Sequence, residues 1–324
     1  MEDYVLSVRA VRSGAFVAEV GPSKFLAVPA DQSPAPAQAI TQAAWYKAVR
    51  AAAVWQNDRG ESRGDALFVV HGYNTSVDEV IQRHRRLKGD LIALGFKGVI
   101  VSFDWPSDDN VLAYLPDRHR AKETAFRLVS DGLAYLSAEQ MPSCTINVHV
   151  LGHSTGAYVI REAFDDADDK ELPNMSWTVS QVLFAAGDIS AASMAAGNGD
   201  SESLYRHCIR LTNYSSRHDQ ALDLSNVKRL GVSPRVGRVG LPDNAPSKTV
   251  NVDCTAYYEQ LTEDPSSIAE ADQPNGFVGK KSHSWYFGNR TFTRDLFGVV
   301  IGEDRTVIPT RSVGRDGRIT LKKP

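Results

Sequence analysis

A Gly-x-Ser-x-Gly turn at residues 152–156 is the stretch of the sequence best suited to chemistry. Alternating apolar residues precede it from Ile146, and helix-compatible residues follow it from Ala157. In such a strand–turn–helix unit, the glycines allow a strained backbone that raises the serine hydroxyl above the carboxyl end of a sheet. The context therefore predicts Ser154 as a nucleophile, although the five-residue pattern alone is weakly specific and also occurs by chance.

A serine hydroxyl needs a neighbouring base, so a histidine must come within hydrogen-bond reach of Ser154. In the chain order that accompanies this turn, the acid follows the serine and the histidine comes last. His283 fits, because it follows the last clear strand and precedes the closing helix, whereas His207 lies at the wrong end of a strand and His218 has the features of a surface residue. The remaining histidines are expected in buried strands (His71, His149), an exposed helix (His84), an irregular segment (His119) and the turn itself (His153).

The acid must hold the histidine in the correct tautomer and stabilise the imidazolium that forms. Asp219 follows the second strand after the turn and is the favoured candidate. Asp188, after the first such strand, remains the main alternative, and Asp253 and Asp223 are weaker ones.

A tetrahedral intermediate needs backbone N–H donors aimed at its oxyanion. The amide of Thr155, directly after the serine, is one predicted donor, and the amide of Tyr73, in the loop after an apolar strand, is the other. The Asn74 side chain is expected to pin that loop. Trp105, His153 and Asn74 are predicted to line the substrate pocket, although aromatic residues near a core usually serve packing alone.

The elements that must position these residues alternate along the chain. Apolar strands alternating with helices imply a parallel sheet with helices on both faces and right-handed crossovers. Ligands of such sheets meet the loops at the carboxyl ends of the strands, where each candidate above is found. The predicted strands cover residues 66–70, 98–103, 146–150, 180–186, 208–214 and 249–252, with helices at 40–55, 77–95 and 121–136 and an irregular segment at 108–119.

Five segments together resemble the α/β-hydrolase superfamily and, within it, a bacterial esterase/lipase-like group of largely undefined physiological role. They are residues 66–74, 103–107, 152–156, 215–225 and 283–286. The resemblance implies an α/β-hydrolase fold with a mostly parallel sheet of about eight strands, flanked by helices. It also implies acyl-enzyme chemistry without a cofactor, carried over to Ser154, Asp219, His283, Tyr73 and Thr155.

The same resemblance sets an expected domain organisation. Residues 1–60 should form a β-hairpin and helix packed on the main domain, residues 61–302 the catalytic domain, and residues 303–324 a C-terminal tail. No long insertion separates the strand ending near Asp188 from the one starting at Cys208, so no large cap domain is expected. Residues 108–119 and 257–280 are candidates for a partial lid.

Composition narrows the range of partners. The chain has 42% hydrophobic and 23% charged residues, and its formal net charge of -3 gives no footprint for nucleic acid or a membrane surface. Three widely spaced cysteines and an acidic start without a secretory pattern favour a cytoplasmic location. No metal is predicted, because the acidic run at 165–169 lacks the glycine and the final glutamate of a calcium loop.

The leading hypothesis is a serine hydrolase acting on small-molecule carboxylic esters. An amidase or thioesterase with the same residues is the close alternative. A non-catalytic binding protein is a third possibility, since a fold alone does not dictate function. A dehalogenase or epoxide hydrolase is disfavoured, because the enzymes of those classes that the chain resembles carry aspartate at the position of Ser154.

Overall fold

The computed structural model describes residues 2–107, 114–138, 145–169, 172, 177–227, 233–263 and 282–324. The strands are β1 (Glu2–Arg12), β2 (Ala15–Pro29), β3 (Ala39–Ile40), β4 (Val54–Gln56), β5 (Ser62–Val70), β6 (Val99–Asp104), β7 (Thr145–His153), β8 (Val179–Ala185), β9 (Cys208–Ser215), β10 (Thr249–Asp253), β11 (Arg311–Val313) and β12 (Ile319–Leu321). The helices are α1 (Gln42–Ala53), α2 (Val77–Ala93), α3 (Tyr114–Leu128), α4 (Ala134–Ala138), α5 (Thr155–Asp169), α6 (Gly199–Arg206), α7 (Gln220–Val227), α8 (Val236–Val239), α9 (Thr255–Glu263) and α10 (Arg290–Val300).

The strands form one mixed sheet in the order β11-β12-β10-β9-β8-β7-β5-β6-β1-β2-β3, with β4 paired to the start of β5. The central strands, from β12 across to β1, all pair in parallel. The others pair antiparallel with their neighbours. The predicted mostly parallel α/β sheet is confirmed, and antiparallel additions extend it at both edges.

Successive side chains of the central strands point to opposite faces of the sheet, and the core is therefore divided into two layers. In β5, Phe68 and Val70 belong to a cluster with buried residues of α1, α3 and α5, whereas Leu67 and Val69 belong to one with residues of α2, α9 and α10. Because successive side chains of a strand point to opposite faces, an uninterrupted apolar run is what a strand covered on both faces requires. This arrangement leaves the carboxyl ends of the parallel strands as the edge where loops can build a site.

The N-terminal hairpin is part of this sheet. β1 pairs in parallel with β6, with Ser7 opposite Asp104, so the chain beyond Ser7 passes the carboxyl end of β6. Trp45 of α1 packs edge-on against Phe25 and donates its indole N–H to the carbonyl oxygen of Leu26 at 3.1 Å. The hairpin therefore brings polar residues to the same edge of the sheet as Ser154.

The C-terminal residues 303–324, predicted as a tail, also contribute strands. β12 pairs in parallel with β10, and β11 closes that edge as an antiparallel partner. The Arg311 guanidinium lies 2.6 Å from the Asp295 carboxylate in a fully buried ion pair that ties β11 to α10. The sequence analysis missed β11 and β12 because each has only three residues and lacks an apolar run.

Two predicted segments differ from the structure at their boundaries. Residues 114–119, predicted to be irregular, belong to α3, and a π-helical segment, Val129–Leu133, separates α3 from α4. The first part of one predicted lid lies in α9, while residues 108–113 and 264–280 of the two lids lie outside the described residues. The fully described connection from β8 to β9 contains only α6 and a 3-10 turn, Ala192–Met194, so no cap domain is inserted there.

The prediction that His84 lies on an exposed helix was wrong. His84 is buried in α2, with Nδ1 2.9 Å from the hydroxyl of Ser102 and Nε2 3.5 Å from the carboxylate of Asp3. The helix covers both β6 and the start of β1, so the face that carries His84 is turned inward. No helix in the described part of the chain combines the length and apolar character needed to cross a membrane.

Candidate active site

Ser154 occupies the turn between β7 and α5 in a left-handed conformation, with φ of 56°. Its amide donates to the carbonyl oxygen of Ala185 at 3.0 Å, and its carbonyl accepts from the amide of Asp188 at 3.0 Å. A Cβ at Gly156 would lie 2.2 Å from the carbonyl oxygen of Val70. Since non-glycine residues rarely adopt positive φ, the turn holds a strained serine in place, as the Gly-x-Ser-x-Gly pattern predicts.

Gly72 places the loop after β5 directly against Ser154. A Cβ at Gly72 would lie 2.8 Å from the Cβ of Ser154 and 3.3 Å from its hydroxyl oxygen. A side chain at this position would therefore compete with the serine for the same space. The absence of one allows the backbone of residues 72–74 to pass beside the hydroxyl.

His283 and Asp219 form a short buried pair, with 2.7 Å between Nδ1 of the imidazole and Oδ2 of the carboxylate. The other oxygen of Asp219 accepts from the amide of Leu222 at 3.0 Å, in the first turn of α7. Burial by itself lowers the pKa of His283, but the charge of Asp219 and its hydrogen bond outweigh burial and raise the pKa overall. The pair fixes the proton on Nδ1 and leaves Nε2 as the basic nitrogen.

His153 links the loop of His283 to the turn of Ser154. Its Nε2 lies 2.8 Å from the carbonyl oxygen of His283, and the two imidazole centroids are 4.9 Å apart. Burial and the neighbouring charges of His283 and Arg83 hold the pKa of His153 well below its usual range, so the neutral ring donates through Nε2. His153 is buried, as Ser154 is, and its contact with the His283 carbonyl helps to position that loop; that His153 lines the substrate pocket stays a prediction.

The structure distinguishes the aspartates that the sequence left as alternatives. Only Asp219 is paired with His283 among the four. Asp188 lies 3.0 Å from Nε of Arg235, with both side chains buried, and its backbone supports the serine turn. The carboxylate of Asp253 accepts from the amide of Thr255 at the start of α9, and the exposed carboxylate of Asp223 lies 3.2 Å from the partly buried Arg238.

The predicted oxyanion donors lie on elements adjacent to Ser154. Thr155 is the first residue of α5, where amide N–H groups have no acceptor within the helix. Tyr73 directly follows Gly72, and its carbonyl oxygen lies 3.2 Å from the hydroxyl of Thr75. Asn74 has φ of 53°, so the loop bends sharply at the residue expected to pin it.

The comparisons with known proteins can now be placed beside this geometry. A family described as "alpha/beta hydrolase of unknown function (DUF900)" matches residues 49–255, which is more than half of the chain. The chain belongs to this family. No curated protein matches the chain in sequence.

Solved structures similar to this α/β-hydrolase include esterases and a thioesterase. A hyperthermophilic esterase of the archaeon Pyrobaculum calidifontis is 14% identical with a TM-score of 0.34, covering 62% of this chain and 70% of its own. Esterase B of Lactobacillus rhamnosis is 10% identical with a TM-score of 0.36, covering 60% and 66%. The RedJ thioesterase of the prodiginine pathway in Streptomyces coelicolor is 12% identical with a TM-score of 0.31, covering 59% and 77%.

A buried polar cluster in this α/β-hydrolase escaped the sequence analysis, and we call it the Arg9 cluster. Arg9 donates to the Asp104 carboxylate at 2.7 Å and to the carbonyl oxygens of Ser107 and Thr75 at 3.0 Å each. The Ser7 hydroxyl donates to the other oxygen of Asp104 at 2.7 Å. Arg9 lies outside the family match, yet it joins the loop after β5, which carries Tyr73, to the loop after β6.

Trp105 belongs to the support of the same loop. Its indole N–H donates to the carbonyl oxygen of His71 at 2.8 Å, and its ring stacks on that of His71 with 5.3 Å between centroids. The side chain has no exposed surface. That Trp105 lines the substrate pocket stays a prediction, and the contacts of its indole fix His71, the residue that precedes Gly72.

Proposed function

We propose that this α/β-hydrolase is a serine hydrolase that cleaves carboxylic esters through an acyl-enzyme intermediate. In this proposal Ser154 is the nucleophile, His283 the general base and Asp219 the acid that orients it. The proposal is carried by one observation, the 2.7 Å pair of His283 and Asp219 in a loop that His153 fastens to the strained turn of Ser154. A serine beside a base that is itself oriented by a third group is the arrangement that nucleophilic catalysis requires.

In acylation, Nε2 of His283 takes the hydroxyl proton of Ser154 while the serine oxygen bonds to the ester carbonyl carbon. The negative charge then on the carbonyl oxygen is stabilised by the amides of Thr155 and Tyr73. Collapse of this intermediate breaks the carbon–oxygen bond to the alcohol, which leaves with the proton from His283. The products of the step are the alcohol and an acyl ester on Ser154.

In deacylation, His283 takes a proton from water as its oxygen attacks the acyl carbonyl. The second tetrahedral intermediate uses the same two amide donors. Its collapse returns the proton to the oxygen of Ser154 and releases the carboxylic acid. Asp219 keeps its charge throughout and stabilises the imidazolium that forms in each step.

Ser154→Ala tests this proposal. The variant should lose at least about 10³-fold in kcat for a short p-nitrophenyl ester, because nothing else in the proposed site supplies the nucleophile. Ser180→Ala, a change at the far end of neighbouring β8, serves as the matched control and should retain activity. Circular dichroism checks that both variants fold, and undiminished hydrolysis by a folded Ser154→Ala protein would reject the assignment.

Two further measurements separate the alternatives. Matched ester, thioester and amide substrates of one acyl group distinguish the proposed esterase from a thioesterase or amidase with the same residues. A fluorophosphonate probe should label Ser154 covalently, as shown by peptide mass mapping. A folded protein that is neither labelled nor active would be a non-catalytic binding protein.

A further inference from the structure

Arg83 is a half-buried cation beside the proposed base. The other basic residues of this part of α2 have carboxylate partners: Arg85 and Lys88 each lie 2.7 Å from Asp3, and Arg86 lies 3.4 Å from Asp90. In the described ranges, no carboxylate lies within ion-pair distance of Arg83. Within the part of the chain that the structure describes, its Nε is buried without a hydrogen-bond partner, and its Nη1 reaches only the hydroxyl of Thr75 at 3.5 Å.

The guanidinium contacts two parts of the proposed site. On one side it approaches Thr75, at the end of the loop that carries Tyr73. On the other it lies over the ring of Phe287, with 5.4 Å from Cζ to the ring centroid, in the segment that carries His283. Its positive charge acts to lower the pKa of His283, which places it within electrostatic reach of the base.

A cation held in this way is costly without a counterion. Taking a charged group out of water destabilises a protein unless an opposite charge or hydrogen bonds replace the lost hydration. Burial lowers the pKa of Arg83 and outweighs the opposing charge of Glu79, which lies beyond ion-pair distance, so the compensation is incomplete. The cation–π contact with Phe287 contributes some attraction, but among the described residues it leaves the N–H donors of Arg83 without an anionic acceptor.

We propose that Arg83 binds a carboxylate carried by the substrate, so that this enzyme prefers anionic esters. A planar guanidinium presents two parallel N–H donors that match the two oxygens of a carboxylate. The preference for turnover rests on the ester hydrolysis proposed above, whereas the binding of the anion does not. The carboxylate is carried on either the acyl or the alcohol side of the ester, and the two sides are separated by substrate choice.

Matched substrates measure the preference. Monomethyl glutarate carries its charge on the acyl side and 4-acetoxybenzoate on the alcohol side, and each is compared with its neutral carboxamide analogue of the same size. For one of the two pairs, kcat/KM should be at least about tenfold higher for the acid, the gain typical of a hydrogen-bonded charge. Equal rates for acid and amide in both pairs would overturn the inference.

Substitutions assign the preference to Arg83. Arg83→Met should bring the ratio of kcat/KM for the acid to kcat/KM for its amide close to one, and Arg83→Lys should keep part of the preference. Because the preference is a ratio, it is independent of the change that loss of the Arg83 charge makes to the pKa of His283. Arg86→Met, on the same helix, is the matched control and should leave the preference intact. A preference for the acid that persists in Arg83→Met would show that another group binds the anion.

Calorimetry on Ser154→Ala separates this inference from the esterase proposal. The variant should bind monomethyl glutarate or 4-acetoxybenzoate more tightly than the carboxamide analogue, and Ser154→Ala/Arg83→Met should not. Binding of this kind without turnover by the natural protein would support the anion site and reject ester hydrolysis. Turnover of neutral esters with equal binding of acid and amide would reject the anion site and leave the esterase standing.

Discussion

Two buried His–Asp pairs lie at the same edge of the sheet, and they differ in what else touches the aspartate. In the first pair, Nδ1 of His283 lies 2.7 Å from the carboxylate of Asp219. The imidazole, when protonated, is the cation that this carboxylate faces. His71 and Asp104 are 3.3 Å apart, and Asp104 is also bound by Arg9 at 2.7 Å. The arginine in the second pair competes with the histidine for one carboxylate.

The pKa values of the two histidines are shifted in opposite directions. Burial lowers the pKa of both, but the pKa of His283 ends above its usual value because Asp219 and the more distant Asp188 favour the imidazolium. The pKa of His71 stays below its usual value, because burial outweighs the effect of Asp104 and the charge of Arg9 adds to the lowering. Nε2 of His71 also accepts from the amide of Trp105 at 3.2 Å, and its Nδ1 donates to the carbonyl oxygen of Gly72 at 2.7 Å, so both nitrogens of this neutral imidazole are used within the fold.

Of the changes that test the difference between the two pairs, Asp219→Asn should have the largest effect on activity. The amide cannot stabilise an imidazolium or fix the same tautomer, so kcat for a p-nitrophenyl ester should fall by about 10³–10⁴-fold. Asp253→Asn, an exposed aspartate on the next strand, is the control. A folded Asp219→Asn protein with more than a tenth of normal activity would remove the distinction between the two pairs.

Arg9→Met should destabilise the protein strongly, since it leaves Asp104 buried without its cation. Burial raises the pKa of Asp104, and Arg9 and His71 together reverse this to about 2, so removal of Arg9 should cost about 3–5 kcal/mol of unfolding free energy in urea titrations. Arg9→Met/Asp104→Asn should recover part of that loss. Additive effects of the two changes would show that the pair is not coupled.

The pH dependence should follow His283 alone. Because the base must be neutral and its pKa is raised from 6.5, kcat/KM should rise with pH through a midpoint above 6.5. By linkage, the stabilisation from this pair is fully present below pH 6.5 and is lost as pH rises through the raised pKa. NMR titration of the imidazoles should show His283 protonated and His71 neutral at pH 6.5, and the reverse order would contradict the comparison.

Trp105→Phe should have the smallest effect. The change removes the indole N–H that binds the His71 carbonyl while retaining an aromatic ring, at a cost of about 1 kcal/mol in thermal or urea unfolding. Ester hydrolysis should change little, because the side chain is buried behind the loop. A KM altered by more than about threefold, with stability unchanged, would support the prediction that Trp105 lines the substrate pocket.

The sequence by itself determined the features that depend on neighbours along the chain. Apolar runs specified the buried strands, and the glycines around Ser154 specified the strained turn, because side-chain period and backbone freedom act over a few residues. The rule that parallel strands present their carboxyl ends at one edge then gathered Asp188, Asp219 and His283 as candidates. Their catalytic roles remain predictions.

Only the tertiary structure decided which buried charged side chains form ion pairs. Asp188 and Asp219 both follow strands at the same edge, and the choice between them depends on Arg235 occupying the first and His283 reaching the second. Arg9 and Asp104 are 95 positions apart in the sequence, so no local pattern links them. Pairing of buried charges depends on distances of a few ångströms between loops from remote segments, and such distances are fixed when the layers pack.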